Sequence, residues 1–323
     1  MPRLCAELCA MRRHLYLLLL GMLSLGAPAA AQMPLPTPAP DPVAGGINQG
    51  RFIGVVVGTT VVYALTSYFL GKTWYTKRVP FHTFNDNGEW LQMDKIGHAT
   101  TAYSIGHGEY QLFKWSGVNE RTSILSGGLI ALLYQTTIEL FDGRSEGWGF
   151  SYGDMAANLS GVALFMGQQY GFGAQKVSLR YGWRQSIYPA YRPNLLGHNV
   201  GSQMLKDYNG QQYWLAVNVA SVVPVGPSFP RWLNLDVGYS GSGMTGGHAN
   251  PPYLGPDGRE VKFTRYRQFY LSPDISLARL PGLTTAGAQP LIDGGQFFKI
   301  PAPSLEFSRL HGLRFHPLLM SKD

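Results

Sequence analysis

The sequence predicts an α+β chain: an N-terminal four-helix bundle, open to membrane embedding, followed by an antiparallel β-rich region. Two observations predict it. Residues 50–172 hold four long stretches of apolar or amphipathic helical character. From about residue 175 to 310 the pattern changes to a period of two, punctuated by glycine and proline.

The first 31 residues stand apart from both regions. Arg12, Arg13 and His14 form a positive start, Leu15 to Leu25 a short apolar run, and Ala29-Ala30-Ala31 a cleavage site before Gln32. That order is a secretory signal peptide, so the expected location is the bacterial cell envelope, on the periplasmic side. Both cysteines, Cys5 and Cys9, precede the apolar run. The mature chain then has no disulfide, no thiolate metal site, and no cysteine to carry a lipid. Residues 32–49, with five prolines from Pro34 to Pro42, read as an extended linker.

The full chain carries 26 Lys and Arg against 19 Asp and Glu. Removing the signal, with Arg3, Arg12, Arg13 and Glu7, leaves 23 against 18, a formal charge of +5. Such a chain can sit against an anionic membrane surface, and membrane lipid is the expected partner. Nucleic acid is excluded as a partner for want of a basic run or a recognised binding motif.

Four helices are expected. Phe52 to Leu70 is uncharged and apolar enough to span a membrane or lie deeply buried, and its Gly54 and Gly58 permit close helix contact. Asp94–Lys114 is amphipathic. Thr122–Phe141 contains the charge-free run Leu129-Ile130-Ala131-Leu132-Leu133. Tyr152–Tyr170 is introduced by Ser151, which with Asp154 has capping-box spacing.

Strands are expected at Val177–Tyr181, Tyr213–Val222, Leu233–Tyr239 and Phe269–Leu277, with an edge segment at 298–303. Five or six strands fall short of the eight or so of an outer-membrane barrel. The sheet is therefore expected to pack on or beside the helices. Asn209-Gly210 marks a turn between extended runs, with Tyr208, Tyr213 and Trp214 anchoring it to the bundle. Gly241–Gly258 reads as a flexible loop in which Ser242, Met244 and His248 have no assigned role, and 311–323 as a tail.

The chemistry-bearing residues lie within the helical part. Asp94 and His98 share a helix face, with Lys95 beside them. Asp94 is open to reading as an N-cap, and His98 as a hydrogen-bonded core histidine. Glu139 and Asp142 close the most apolar helix, where they oppose its dipole and need a partner: Arg144, Lys95 or a divalent cation. Asp154 and Asn158 share a face, and Gly161 lies one turn on. Asp94, Lys95, His98, Glu139, Asp142, Arg144, Ser151, Asp154 and Asn158 thus form one polar string, structural or ligand-binding in its first reading. Its alternative reading is a metal-dependent hydrolase acting on a lipid or cell-wall glycan, with His98 and Glu139 at its catalytic centre. No HExxH or ExxH metal signature and no GxSxG elbow accompanies them.

These strings, Asp94-Lys95-x-x-His98, Glu139-x-x-Asp142-Gly143 and Gly149-Phe150-Ser151-x-x-Asp154 with Asn158 and Gly161, resemble the YfiM-like predicted periplasmic lipoproteins. That group is number 2279 among domains of unknown function. Further matching segments are Lys206–Gln211 with Tyr213-Trp214, Trp232–Asn234 with Gly238-Tyr239, and Lys299–Pro303 with Leu305-Glu306. Glu139, Arg144, Asp154 and Asn158 also follow the order of VanZ-like membrane proteins, more distantly. The resemblance implies an envelope location and no particular reaction.

Overall fold

The computed structural model describes residues 46–73, 75, 77–254, 259–281 and 296–318. The signal peptide, both cysteines and the proline linker up to residue 45 lie outside them. Four long helices follow one another: α1 (Gln49–Thr73), α2 (Met93–Trp115), α3 (Glu120–Asp142) and α4 (Tyr152–Phe172). All four match the expected elements to within a few residues.

α2, α3 and α4 pack closely because glycines remove side chains at the crossings. A β-carbon on Gly161 of α4 would stand 2.1 Å from the Ala99 carbonyl of α2, and one on Gly127 of α3 2.3 Å from that of Gly106. Tyr103, Tyr110, Ile124 and Phe165 fill the space between them. α1 lies along this bundle: Phe52 meets Phe113, Thr59 donates to Glu109, and Tyr63 pairs with Thr137. Gly54 and Gly58 have no described atom within 4 Å of where a β-carbon would stand, so the close approach that the GxxxG spacing permits is not made here. Nor is α1 deeply buried, since only 6% of its most apolar stretch is covered.

The β part comprises β1 (Val177–Trp183), the short helices α5 (Pro193–Leu196) and α6 (Val200–Lys206), β2 (Gln211–Asn218), a helical turn α7 (Val219–Val222), β3 (Leu233–Ser242), a small β4–β5 hairpin (Tyr253–Leu254, Glu260–Val261), β6 (Tyr266–Ile275), β7 (Ser304–Ser308) and β8 (Gly312–His316). The main sheet is antiparallel with six strands in the order β1-β2-β3-β6-β7-β8. Asn209-Gly210 is a turn, but it joins α6 to β2 rather than two strands. The expected strand through Val222 stops at Asn218, where α7 begins.

The sheet curls back on itself. Arg180 on β1 reaches Asp274 on β6 at 2.6 Å, although β2 and β3 lie between them. Three strand spacings in a flat sheet are about 14 Å. The segment leading into β7 also closes on the free edge of β1, where Tyr181 accepts from Lys299 and donates to Phe297. One face is thereby enclosed. It is polar: Asn234, Asp236, Ser240, Gln268, Ser272 and Glu306 are buried. The opposite face carries Leu235, Val237, Phe269, Leu271, Leu305 and Phe307, all exposed. Alternation identified which residues share a face, and the curl inverts the usual sense of inside and outside.

The helices sit on the β1–β2 end of the outer face. Met93, Tyr213 and Met244 form one cluster with Tyr181, Tyr208 and Tyr239 around it. Met244 and Ser242 are fully buried, so the start of the 241–258 segment is packed rather than a flexible loop. Between the strand-like run at 78–83 and α2, Trp90, Leu91 and Gln92 all have positive φ, at 46°, 53° and 65°. Left-handed backbone costs a non-glycine residue about 1–2 kcal/mol. Three successive ones persist because the sheet clamps them: Tyr239 donates to the Leu91 carbonyl, Arg267 to Gln92 Oε1, and Trp90 N–H to the Gly247 carbonyl. This turn aims the first residues of α2.

Candidate functional site

α2, α3 and α4 each contribute to one polar centre, joined by the 78–86 segment and by Tyr208. His98 projects from α2 toward α3 and α4. Its Nδ1 is 3.1 Å from Asn158 Oδ1, which also accepts from Gln135 Nε2 at 2.8 Å. An amide oxygen only accepts, so the proton sits on Nδ1 and Nε2 is turned the other way. There it faces three carboxylate oxygens: Asp94 Oδ1 at 3.8 Å, Glu139 Oε1 at 3.7 Å and Asp154 Oδ1 at 3.8 Å. None is close enough for a hydrogen bond.

Asp94 is not an N-cap, contrary to one expectation. The cap position is Gln92, in the left-handed turn, and Asp94 lies one residue inside the helix. Its side chain instead accepts from the Tyr208 hydroxyl and from Lys95 Nζ at 3.1 Å. Lys95 is the centre's ammonium. It reaches Asp86 and Asp154 at 2.7 Å each, as well as Asp94.

Ser151 caps α4, accepting from Asp154 N–H at 3.1 Å. The reciprocal half of the expected capping box comes from elsewhere. Asp154 turns to Lys95, and Glu139 Oε2 accepts from Ser151 N–H at 3.0 Å across the helix pair. That bond explains how a carboxylate survives in the last turn of α3, against the helix dipole. Ser151 Oγ in turn donates to Asp86 at 2.7 Å. Asp142 takes the Tyr75 hydroxyl as its hydrogen-bond partner. Arg144, expected among the possible partners, is exposed and makes no ion pair with Glu139 or Asp142 among the described residues. Lys95 does not reach those two acids either.

Five carboxyl groups, Asp86, Asp94, Glu139, Asp142 and Asp154, therefore share two basic groups, Lys95 and His98. The titration behaviour follows. Burial pushes Glu139 up to about 7, Asp142 to about 7 and Asp154 to about 8, with neighbouring acids adding to each. Burial alone would lower His98, but Asp94, Asp154 and Glu139 outweigh it and raise it. Asp94 is also opposed by burial, and there His98, Lys95 and Tyr208 win and hold it below its ordinary value. The cluster is short of positive charge.

Asp94, His98 and Asp154 offer ligand atoms all within 4.8 Å of one another. Ligands about 2.1 Å from a tetrahedral zinc-like ion stand about 3.4 Å apart. The separations of 3.7–3.8 Å around His98 Nε2 are a few tenths wider. Glu139 adds an independent pointer: its side chain is 1% exposed, and Oε1, the oxygen aimed at His98, has no hydrogen-bond partner. Buried carboxylate oxygens are costly in that state.

Residues 83–167 match a known family. Its model is described as a predicted periplasmic lipoprotein, a domain of unknown function numbered 2279. The lipoprotein-family segment contains Asp86, Asp94, Lys95, His98, Gln135, Glu139, Asp142, Ser151, Asp154 and Asn158, and so nearly all of the centre. Tyr75 and Tyr208 come from outside it. The family description supports an exported, periplasmic protein of unknown function. No curated protein and no solved structure matches the chain.

Sequence reasoning found His98, Asp94, Lys95, Glu139, Asp154 and Asn158, which the fold brings together. Asp86, Tyr75 and Gln135 were not among them, and Tyr208, expected to anchor its turn to the bundle, does so through Asp94. Of the first three, only Gln135 left a signal: it lies within the uncharged run 122–138 of α3, four residues before Glu139 and on the same face.

Proposed function

We propose that this is a membrane-associated envelope protein whose helical centre binds one divalent cation through Asp94, His98, Asp154 and Glu139. The observation that carries the reading is Glu139 Oε1, buried, unpartnered and 3.7 Å from His98 Nε2. Lys95 already neutralises the Asp86, Asp94 and Asp154 side of the cluster, and no described residue hydrogen-bonds Glu139 Oε1. A mixed imidazole and carboxylate set suits zinc, manganese or iron better than calcium. Membrane association is supported by α1, which is uncharged from Phe52 to Gly71, and by exposed Leu125, Leu129 and Leu133 on α3. Both helices are long and apolar enough to cross a membrane.

The test is metal content and calorimetry on the purified mature chain. Wild type should hold about one equivalent of a divalent metal, and saturating metal at about 100 times Kd should add about 2.7 kcal/mol of stability. His98→Ala and Glu139→Gln should bind at least about tenfold more weakly while remaining folded. Wild type that binds no zinc, manganese or magnesium at millimolar concentration, with no shift in melting, sinks the cation reading.

A second reading, hydrolysis of a lipid or cell-wall glycan at this centre, is favoured by access. The His98 and Asp94 side chains keep 14% and 21% of their exposure, so the ligand set is open on one side. A metal there could activate water. Metal-dependent release of product from envelope lipids or glycan, abolished in Glu139→Gln, is the corresponding assay.

A further inference from the structure

We propose that the outer face of β3, β6, β7 and β8 seats in the acyl layer of an anionic phospholipid membrane. This deepens the membrane association proposed above and rests on it.

The face is apolar in three ranks set by the strand register. Leu235 pairs with Pro273; Val237, Leu271 and Leu305 lie side by side in the next rank; Tyr239, Phe269 and Phe307 in the third. β8 extends the last two ranks with Phe315 and Leu313, which are 63% and 70% exposed. Val237, Phe269, Leu271, Leu305 and Phe307 are each 42–53% exposed, whereas the opposite face of the same strands is closed over polar groups. Contiguous apolar surface on this scale marks an interaction site. Apolar-out and polar-in alternation is the arrangement of sheets that meet lipid.

Depth decides how far it enters. Two side-chain repeats along a strand separate the outer ranks by about 14 Å. The hydrocarbon of one leaflet is about 15 Å, half of a bilayer core of about 30 Å. The band therefore fits one leaflet and is too short to cross both. The sheet also retains an open edge at β8 among the described residues, and unpaired backbone is not tolerated deep in hydrocarbon.

Charge selects the lipid. Arg309 follows Phe307 two residues on, just past the end of β7, level with Arg267, whose guanidinium is held by Gln92 and Tyr239. The Gln268–Ser308 pairing puts both at the same end of the band, at headgroup level. Lys262 is exposed beside them, lining one cavity with Leu310 and His311, whereas Arg231 lies at the other end ahead of β3 and Arg314 on the inner alternation opposite Glu306. Among the described residues from 175 to 318, Glu260 is the exposed acid; Asp207, Asp236, Asp274 and Glu306 are buried. Basic side chains at the rim of an apolar face attract anionic headgroups. A second copy seated on this face is the competing occupant, and the test below separates it from lipid.

The test is flotation of the full mature chain with phosphatidylcholine vesicles, with and without phosphatidylglycerol. Leu271→Asn/Phe307→Asn changes the sheet face, Val57→Asn/Val61→Asn changes α1, and Lys262→Gln/Arg309→Gln changes the rim. All six residues are exposed, and thermal melting checks that each variant folds. Wild type should prefer the phosphatidylglycerol vesicles. The sheet variant should associate at least about tenfold more weakly, and the rim variant should lose the preference for anionic lipid. If the sheet variant floats like wild type while the α1 variant does not, the sheet proposal falls and the membrane association stands. If wild type floats with neither vesicle, both fall. A dimer in wild type that the sheet variant turns into monomers assigns the face to a second copy and overturns the lipid.

Discussion

The helical centre and the interior of the curled sheet both bury charge, and they solve the problem differently. Inside the sheet two acids, Asp236 and Asp274, meet two cations, Arg180 and Lys299. All four side chains are at most 5% exposed. Glu306 has its own partner in His316 at 2.8 Å. In the helical centre five acids meet two bases, Glu139 Oε1 faces His98 without a bond, and the cluster opens toward Asp94. A closed cluster with equal numbers of acids and cations holds a fold together, even though Asp236 meets Lys299 only at 3.9 Å. An open one with an excess of acid is available to a ligand.

The comparison breaks most visibly at Arg180. Arg180→Leu leaves Asp274 buried and without its nearest cation, which should cost about 3–5 kcal/mol. Urea unfolding reads this, and cation binding at the helical centre should be unchanged in whatever fraction stays folded. A loss of metal affinity equal to that of His98→Ala would mean the two clusters are coupled.

The pH dependence sharpens it. Burial, with Asp274 adding to it, pushes Asp236 up from an ordinary carboxylate value to about 8. Between the unfolded and folded pKa the native state holds one proton more than the unfolded chain. Stability should therefore fall as pH rises from about 4 to about 8, by at most about 1.4 kcal/mol per unit, and change little from this group beyond. Asp236→Asn should flatten that slope in melting curves taken across the same range. A slope that survives the substitution assigns it to other acids.

The smallest effect belongs to Ser151. Ser151→Ala removes the cap of α4 and should cost about 1 kcal/mol. Because Glu139 holds the Ser151 backbone rather than its hydroxyl, cation affinity should change much less than in Glu139→Gln. Parallel losses in stability and affinity would tie the cap to the site.

The helices were legible because their apolar runs are long and their ends marked, as at Ser151. The convergence of Asp94, His98, Glu139, Asp154 and Asn158 was legible for a related reason: each pair shares a helix face, and acids in apolar helices must find company. Asp86 and Tyr75 carried no such mark, since each comes from irregular chain whose position depends on the tertiary fold, and the turn at Asn209-Gly210 marked Tyr208 as an anchor but not its partner Asp94. The strand positions followed from alternation, but which side faces inward depended on the Arg180–Asp274 closure, a contact between residues nearly a hundred apart. Gly54 and Gly58 show the limit of a motif that only allows proximity.

The left-handed turn at Trp90–Gln92 has a consequence for timing. Its clamps, Tyr239 and Arg267, lie 148 and 175 residues further along the chain. Closing such long loops is slow compared with forming helices. The start of α2, and with it Asp94 and His98, is therefore fixed only after the sheet has assembled. The geometry of Asp94 and His98 thus depends on the sheet as well as on the helices, so a fragment ending after α4 would lack the clamps that set the start of α2.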